Sequence, residues 1–238
     1  MLHHTRGIVL RTTDYSDSSI IAKVYTEQLG MQTYIINGVR SARSKGKASL
    51  YQHGNLLDMV VYHRDTGDIF RISESSMGYL YRLVPFDIVR SSLLLFCVEL
   101  ITRSVQEEDA NPELFSYIWE QLQLLDDSTI PTAHFHLQFM IGLSLHLGFA
   151  PSTGEGTIFD LMDGVFCTAI PRHTYYMEET LSEKLKLLLH GSPTGHYAIN
   201  HQQRKALLHY LITFFQLHIP HFGVMKSPDI LEAVFREL

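Results

Sequence analysis

Cysteine is nearly absent: Cys97 and Cys167 are the two thiols among 238 residues, and neither belongs to a CxxC pair. That excludes a disulfide framework and a multi-thiolate metal site, and it agrees with a reducing compartment. Long apolar runs are missing too. The nearest, Leu93 to Val98, is cut by Glu99 and Arg103, well short of the roughly 18 apolar residues that a membrane helix needs. The opening Met1-Leu2-His3-His4-Thr5-Arg6 runs straight into a strand pattern and lacks the apolar core of a signal peptide. A cytoplasmic protein without membrane contact is expected.

What is present describes an ordinary globular chain, 45% hydrophobic and 18% charged, long enough for one large domain or two smaller ones. Its net charge of -6 hides an asymmetry. Residues 1–82 carry ten Lys/Arg against seven Asp/Glu, and the rest carry nine against eighteen. A nucleic-acid-binding first part joined to an acidic, partner-binding second part is one explanation.

The first part reads as strands: Gly7 to Thr13, Ser19 to Thr26, Met31 to Gly38, Leu56 to His63 and Ile69 to Glu74, each β-branched or alternating and bounded by turn residues. Five short strands in about eighty residues suit a small closed barrel, because closure removes exposed edges. An oligonucleotide-binding barrel over residues 1–80 is expected. Between the third and fourth strands lies Val39-Arg40-Ser41-Ala42-Arg43-Ser44-Lys45-Gly46-Lys47, four cations spaced by small residues with no acid. A loop of this kind grips a phosphate backbone without reading sequence, although a solvated loop kept basic for solubility has the same composition. Arg40, Arg43, Lys45 and Lys47 are the first candidates for DNA contact, with the mid-strand cations Arg11, Lys23 and Arg71 extending the track. Tyr25, Tyr34 and Tyr62 lie in strands, where they either stack on bases or pack inward, with Tyr34 counted among the binding candidates.

After Pro85 the period changes to that of helices. Apolar residues recur from Ile88 to Ile101, from Leu114 to Leu125 behind Pro112, and in a third helix expected to start at Pro131-Thr132 and run through Phe135 to Leu147; the pattern resumes at Glu179–Leu189, Asn200–Phe215 and Pro228–Phe235. Residues 81–238 are therefore expected as a helical domain. Within it, 150–176 is rich in Gly, Pro and Asp and reads as an irregular or hairpin insertion. The fold class is α+β in two domains.

No catalytic motif withstands inspection. His134 and His136 point to divergent faces of a helix, and His201 and His209 share a face without an intervening carboxylate or thiol. Gly142-Leu143-Ser144-Leu145-His146 lacks the second glycine of a nucleophile elbow. Gly191-Ser192-Pro193-Thr194-Gly195 lacks the lysine of a phosphate loop. Neither an enzyme nor a cofactor is expected.

In this order the chain resembles the RecO family of bacterial recombination mediators. The likeness is carried by Thr5-Arg6-Gly7-Ile8-Val9-Leu10-Arg11 with Asp14-Tyr15-Ser16-Asp17-Ser18-Ser19, by Thr26-Glu27-Gln28-Leu29-Gly30, by Asn37-Gly38-Val39-Arg40, and by Leu147-Gly148-Phe149-Ala150-Pro151. The resemblance implies binding of single- and double-stranded DNA, annealing of complementary strands, and partnership with single-stranded DNA-binding protein (SSB), RecR and RecA to load recombinase on coated DNA. It also implies an apolar pocket beside a cation on the helical domain for SSB's acidic tail, and Arg90, Arg103, Arg204 and Lys205 are the cations on offer. Many family members carry two CxxC pairs binding zinc in the insertion. Here Cys167 stands alone, so zinc is not expected, and Phe159, Leu161, Val165, Phe166 and Ile170 should hold the insertion by packing. An RNA-binding or translation-associated barrel protein is the alternative reading of the same residues.

Overall fold

A computed structural model describes residues 1–39, 47–64, 67–106, 109–191 and 195–236. Five strands open the chain: β1 (Leu2–Asp14), β2 (Ile20–Thr26), β3 (Gly30–Ile36), β4 (Leu56–Tyr62) and β5 (Phe70–Tyr79). They close into a ring in the order β1-β2-β3-β5-β4, with β4 returning to pair antiparallel with β1. All the pairings are antiparallel except β3 with β5.

Alternation along each strand decides which side chains fill the ring. Val9, Ile20, Ala22, Val24, Tyr34, Ile36, Leu57, Met59, Val61 and Phe70 point inward and form its core. The outward set splits by location. Ile8, Leu10, Tyr25, Met31 and Leu56 join the larger apolar core of the helical region, so one flank of the barrel is packed against helices. Arg6 also turns towards the helices, and other outward positions such as Arg11 and Asp58 face solvent. A bulge in β1 between Val9 and Arg11 shifts the register against β2, so consecutive Leu10 and Arg11 both turn outward.

The helical region comprises α1 (Ile88–Ser104), α2 (Pro112–Leu124), α3 (Phe135–His146), α4 (Glu179–Leu189), α5 (His201–His218) and α6 (Ser227–Arg236). Three starts are fixed by side-chain caps. Asp87 accepts from the backbone N–H of Val89 and Arg90, Asn111 accepts from that of Leu114 with Pro112 in the first turn, and Asn200 and Gln203 cap each other's backbone. No helix among the described residues is long and apolar enough to cross a membrane. The third helix begins at Phe135 and not at Pro131, because residues 128–134 form turns.

The insertion is more regular than its composition suggests. β6 (Ile158–Asp160) pairs with β7 (Val165–Cys167) and β8 (Tyr176–Met177) in a three-stranded antiparallel sheet. Ser182 of α4 fastens it, donating to Met177 O at 2.7 Å and accepting from Phe159 N at 2.9 Å. Phe159, Leu161 and Phe166 are buried as expected, whereas Val165 and Ile170 are exposed and contribute nothing to its core.

Polar contacts add to this packing of barrel on helices, among them those of Arg6 and Asp126. Arg6 of β1 forms a bidentate pair with Glu27 at 2.7 and 2.9 Å while its guanidinium lies 4.9 Å from the Trp119 ring and 5.4 Å from that of Phe115. Buried Asp126, just past α2, accepts from the N–H groups of Arg82, Leu83 and Val84 at 2.7, 2.7 and 2.9 Å and from the Tyr79 hydroxyl at 3.2 Å. Burial alone would raise its pKa, but these donors outweigh it and leave the carboxyl below its usual range.

Candidate nucleic-acid interface

Strand register brings the mid-strand cations together. Arg11 of β1 and Lys23 of β2 are direct partners, and both face outward. Lys23 in turn partners Thr33 of β3; two residues further along β3, Ile35 partners Arg71 of β5, which partners Tyr62 of β4. Arg11, Lys23 and Arg71 therefore belong to one belt around the outside of the ring. With neighbouring strands about 4.8 Å apart, the belt spans about 14 Å from β1 to β5. Among the described residues no carboxylate pairs with any of the three. Like charges directly opposite on adjacent strands destabilise a sheet by up to about 1 kcal/mol, so Arg11 beside Lys23 is a cost that a bound anion would remove.

Three adjoining clefts follow this belt. Lys47 and Arg71 line one of about 420 Å³ with Asn37, Tyr51 and Ser75. Lys23 lines the next, of about 540 Å³, with Thr33, His63, Arg64 and Asp109. Gln106 lines both that cleft and a third, of about 750 Å³, whose cations are Arg11, Arg103 and Lys226. Lys47 is exposed and opens a short 3₁₀ helix, Lys47–Tyr51; Arg40, Arg43 and Lys45 lie outside the described residues. Two acids of the barrel also line these clefts, Glu74 the first and Asp68 the second, while Glu27, Asp58 and Glu74 line a separate cleft together with Arg6.

The tyrosines divide by face. Tyr34 is fully buried inside the ring, so the stacking role expected for it is corrected: it shares strand parity with inward Ile36 and has no face to offer a base. Tyr25 faces outward but is buried against Phe115, with ring centroids 5.7 Å apart. Tyr62, 49% exposed beside Arg71, is the one of the three with an open ring.

Comparison with known proteins fits this arrangement. The family model "Recombination protein O N terminal" matches residues 1–80, and "Recombination protein O C terminal" matches residues 85–228. The DNA repair protein RecO of Phocaeicola vulgatus is 31% identical over 240 residues, covering 99% of this chain and 100% of its own length. The chain belongs to the RecO family. Other RecO proteins are similar over the same extent, at 31% identity in Bacteroides fragilis and 29% in Porphyromonas gingivalis, with 99% of this chain and the whole of each relative covered. DNA repair and recombination is the family's field.

In this RecO-family chain the four helical cations have separate fates. Arg90 is buried and donates to the carbonyls of Leu125 and Ile130, 3.4 Å from Asp87. It holds the turn after α2 and is corrected as a partner-binding candidate, since no partner reaches its guanidinium. Arg103 is half-buried, bonded to Glu99 at 3.0 Å and to Phe222 O at 3.1 Å. Arg204 lies 5.2 Å over the Phe235 ring, where burial pushes its pKa down, and Lys205 pairs with Glu232 at 2.6 Å. These last two fasten α5 to α6.

Sequence reasoning missed Arg64 and Lys226, which the fold adds to the clefts. Arg64 precedes Asp65 in the sequence, and Lys226 lies far along the chain, so neither carries a local signal. His136 is fully buried between the rings of Phe96 and Phe235, with burial pushing its pKa down to about 3. Among the described residues no group of three or more His, Cys, Asp or Glu side chains could hold a metal ion. Cys167 donates to backbone carbonyls of Ile158 and Ala169.

Proposed function

We propose that the chain is a non-catalytic, cytoplasmic mediator of recombinational repair that binds single- and double-stranded DNA on its barrel and anneals complementary strands. The observation that carries this reading is the direct pairing of Arg11 with Lys23 in the outer belt that continues to Arg71. Cations held in register attract phosphates, release counterions and lessen the repulsion between two strands, and no nucleotide hydrolysis enters the process. The strand order β1-β2-β3-β5-β4 supports a barrel of the oligonucleotide-binding type. The division into a DNA-binding part, 1–80, and a helical part, 81–238, that receives SSB, RecR and RecA belongs to the same proposal.

The test replaces Arg40, Arg43, Lys45 and Lys47 together with Ser and follows single-strand binding and annealing against salt. If all four meet phosphates, the slope of log affinity against log salt flattens by about 0.7 for each, close to three in total, and annealing falls in parallel. An unchanged slope would remove the loop from the interface.

A further inference from the structure

We infer that the largest of the three clefts, between β1 and the helices, seats one unstacked nucleotide of a single strand running along the barrel belt. The inference rests on the barrel being the DNA-binding surface. Because of the bulge, Leu10 contributes to the cleft's floor while Arg11 stands at its rim and also belongs to the belt. Val98 and Phe222 complete the buried apolar floor, and Leu95, 48% exposed, stands at the mouth. Lys226 and Arg103 supply cations on the helical side, and the exposed imidazoles of His53 and His221 flank the opening. His53 is fastened there by accepting from Thr12 N at 3.3 Å.

The one acid of the lining, Glu99, is already satisfied. Its carboxylate accepts from the N–H groups of Lys226 and Ser227 at 2.8–3.0 Å and from Arg103 at 3.0 and 3.1 Å. Burial alone would raise its pKa, but these donors hold it below the usual carboxylate range. With Arg103 paired to Glu99, Arg11 and Lys226 remain as the cations over an apolar floor. A nucleotide has the complementary chemistry, a flat base for the floor and imidazoles and a phosphate on either side for the rim. About 750 Å³ lies within the range of small-ligand sites. Paired, stacked bases have no comparable access, so the cleft favours single strands. Continuity with the belt through Arg11 and Gln106 is what favours a strand over an acidic peptide.

The full-length protein is titrated with thymine-rich oligonucleotides carrying one 2-aminopurine at successive positions. One position should show a protein-induced fluorescence change, and Leu95→Trp, which fills the mouth, should abolish it. Lys226→Ala, which keeps the backbone bond to Glu99, should weaken binding about five-fold at 0.1 M salt and lower the salt slope by about 0.7. If Leu95→Trp leaves the signal, or Lys226→Ala leaves the slope, while Lys23→Gln still lowers it, the cleft inference is overturned and the barrel reading stands. If Lys23→Gln is also without effect, the barrel reading itself has failed. If the two cleft variants spare DNA but abolish binding of a fluorescein-labelled acidic peptide, the cleft docks protein and the inference is wrong. Lys226 is exposed, so its variant decides the matter even if Leu95→Trp folds poorly.

Discussion

Lys23→Gln should move stability and affinity in opposite directions. Lys23 and Arg11 are register partners on adjacent strands, with no described carboxylate paired to either. A like-charge cross-strand pair costs about 0.2–1 kcal/mol. Gln keeps most of the aliphatic stem and removes the charge, so the free protein should gain that amount. For a chain of this size the gain raises the melting temperature by about 0.4–4 °C. Affinity for single strands should fall about five-fold at 0.1 M salt, and the salt slope by about 0.7, because one phosphate is no longer neutralised. Arg11→Gln should behave alike. In the double variant the stabilisation should appear only once, because either substitution already removes the repulsion, and a thermodynamic cycle measures that coupling. Differential scanning calorimetry and fluorescence anisotropy on the same samples provide both readouts. If stability and affinity fell together, Lys23 would be a packing residue. If affinity stayed constant, the belt would not be a phosphate track.

Further outcomes follow from Asp126, His136 and Cys167. Asp126→Ala should destabilise the protein by on the order of 2–3 kcal/mol in urea unfolding, since three backbone N–H groups lose a charged acceptor. Because the Asp126 pKa is depressed by folding, its contribution is present above the unfolded value and is lost as pH falls through the folded one; the variant should flatten the acid limb of the stability curve there. His136 titrates near 3 when folded against an ordinary value of 6.5, so the unfolded state takes up the proton first and stability declines as pH drops from 6.5 towards 3, by about 2 kcal/mol at pH 5; His136→Phe should remove that decline in urea titrations at successive pH values. Elemental analysis should find no stoichiometric zinc, and EDTA should leave the melting temperature unchanged, because Cys167 has no thiol beside it.

The long elements were legible because their periods are strong. Alternation marks β2 through inward Ile20, Ala22 and Val24, and α1 and α2 carry apolar residues at helical spacing between capping residues. The small sheet in the insertion was not legible: β6 and β7 have three residues each, too few to display a period, and they depend on Ser182, which lies more than twenty residues beyond Phe159. Tyr34 was misread although its parity with Ile36 carried the answer. Arg90 was misread for a different reason, since a cation in the first turn of a helix normally reaches solvent, and only the turn after α2 brings carbonyls over it. The belt was half-legible. Arg11, Lys23 and Arg71 were visible as mid-strand cations, but their adjacency depends on register and on a bulge that no local pattern announces.

The parallel seam has a consequence for how the ring assembles and opens. β3 and β5 share two register pairs, Tyr34 with Phe70 and Ile35 with Arg71, whereas each antiparallel pairing of the ring holds seven. The hairpins β1-β2-β3 and β4-β5 are local in sequence and form early, while β1 must wait for β4, and the two-pair seam closes last. The same inequality works in reverse. Amides that bond across the seam should exchange with deuterium ahead of those in the antiparallel pairings, by a fluctuation that parts the seam and leaves the rest of the ring intact. Arg71 sits on that seam, so a strand bound between Lys23 and Arg71 would act as a clasp, slowing exchange at the one junction that the backbone leaves thinly stitched.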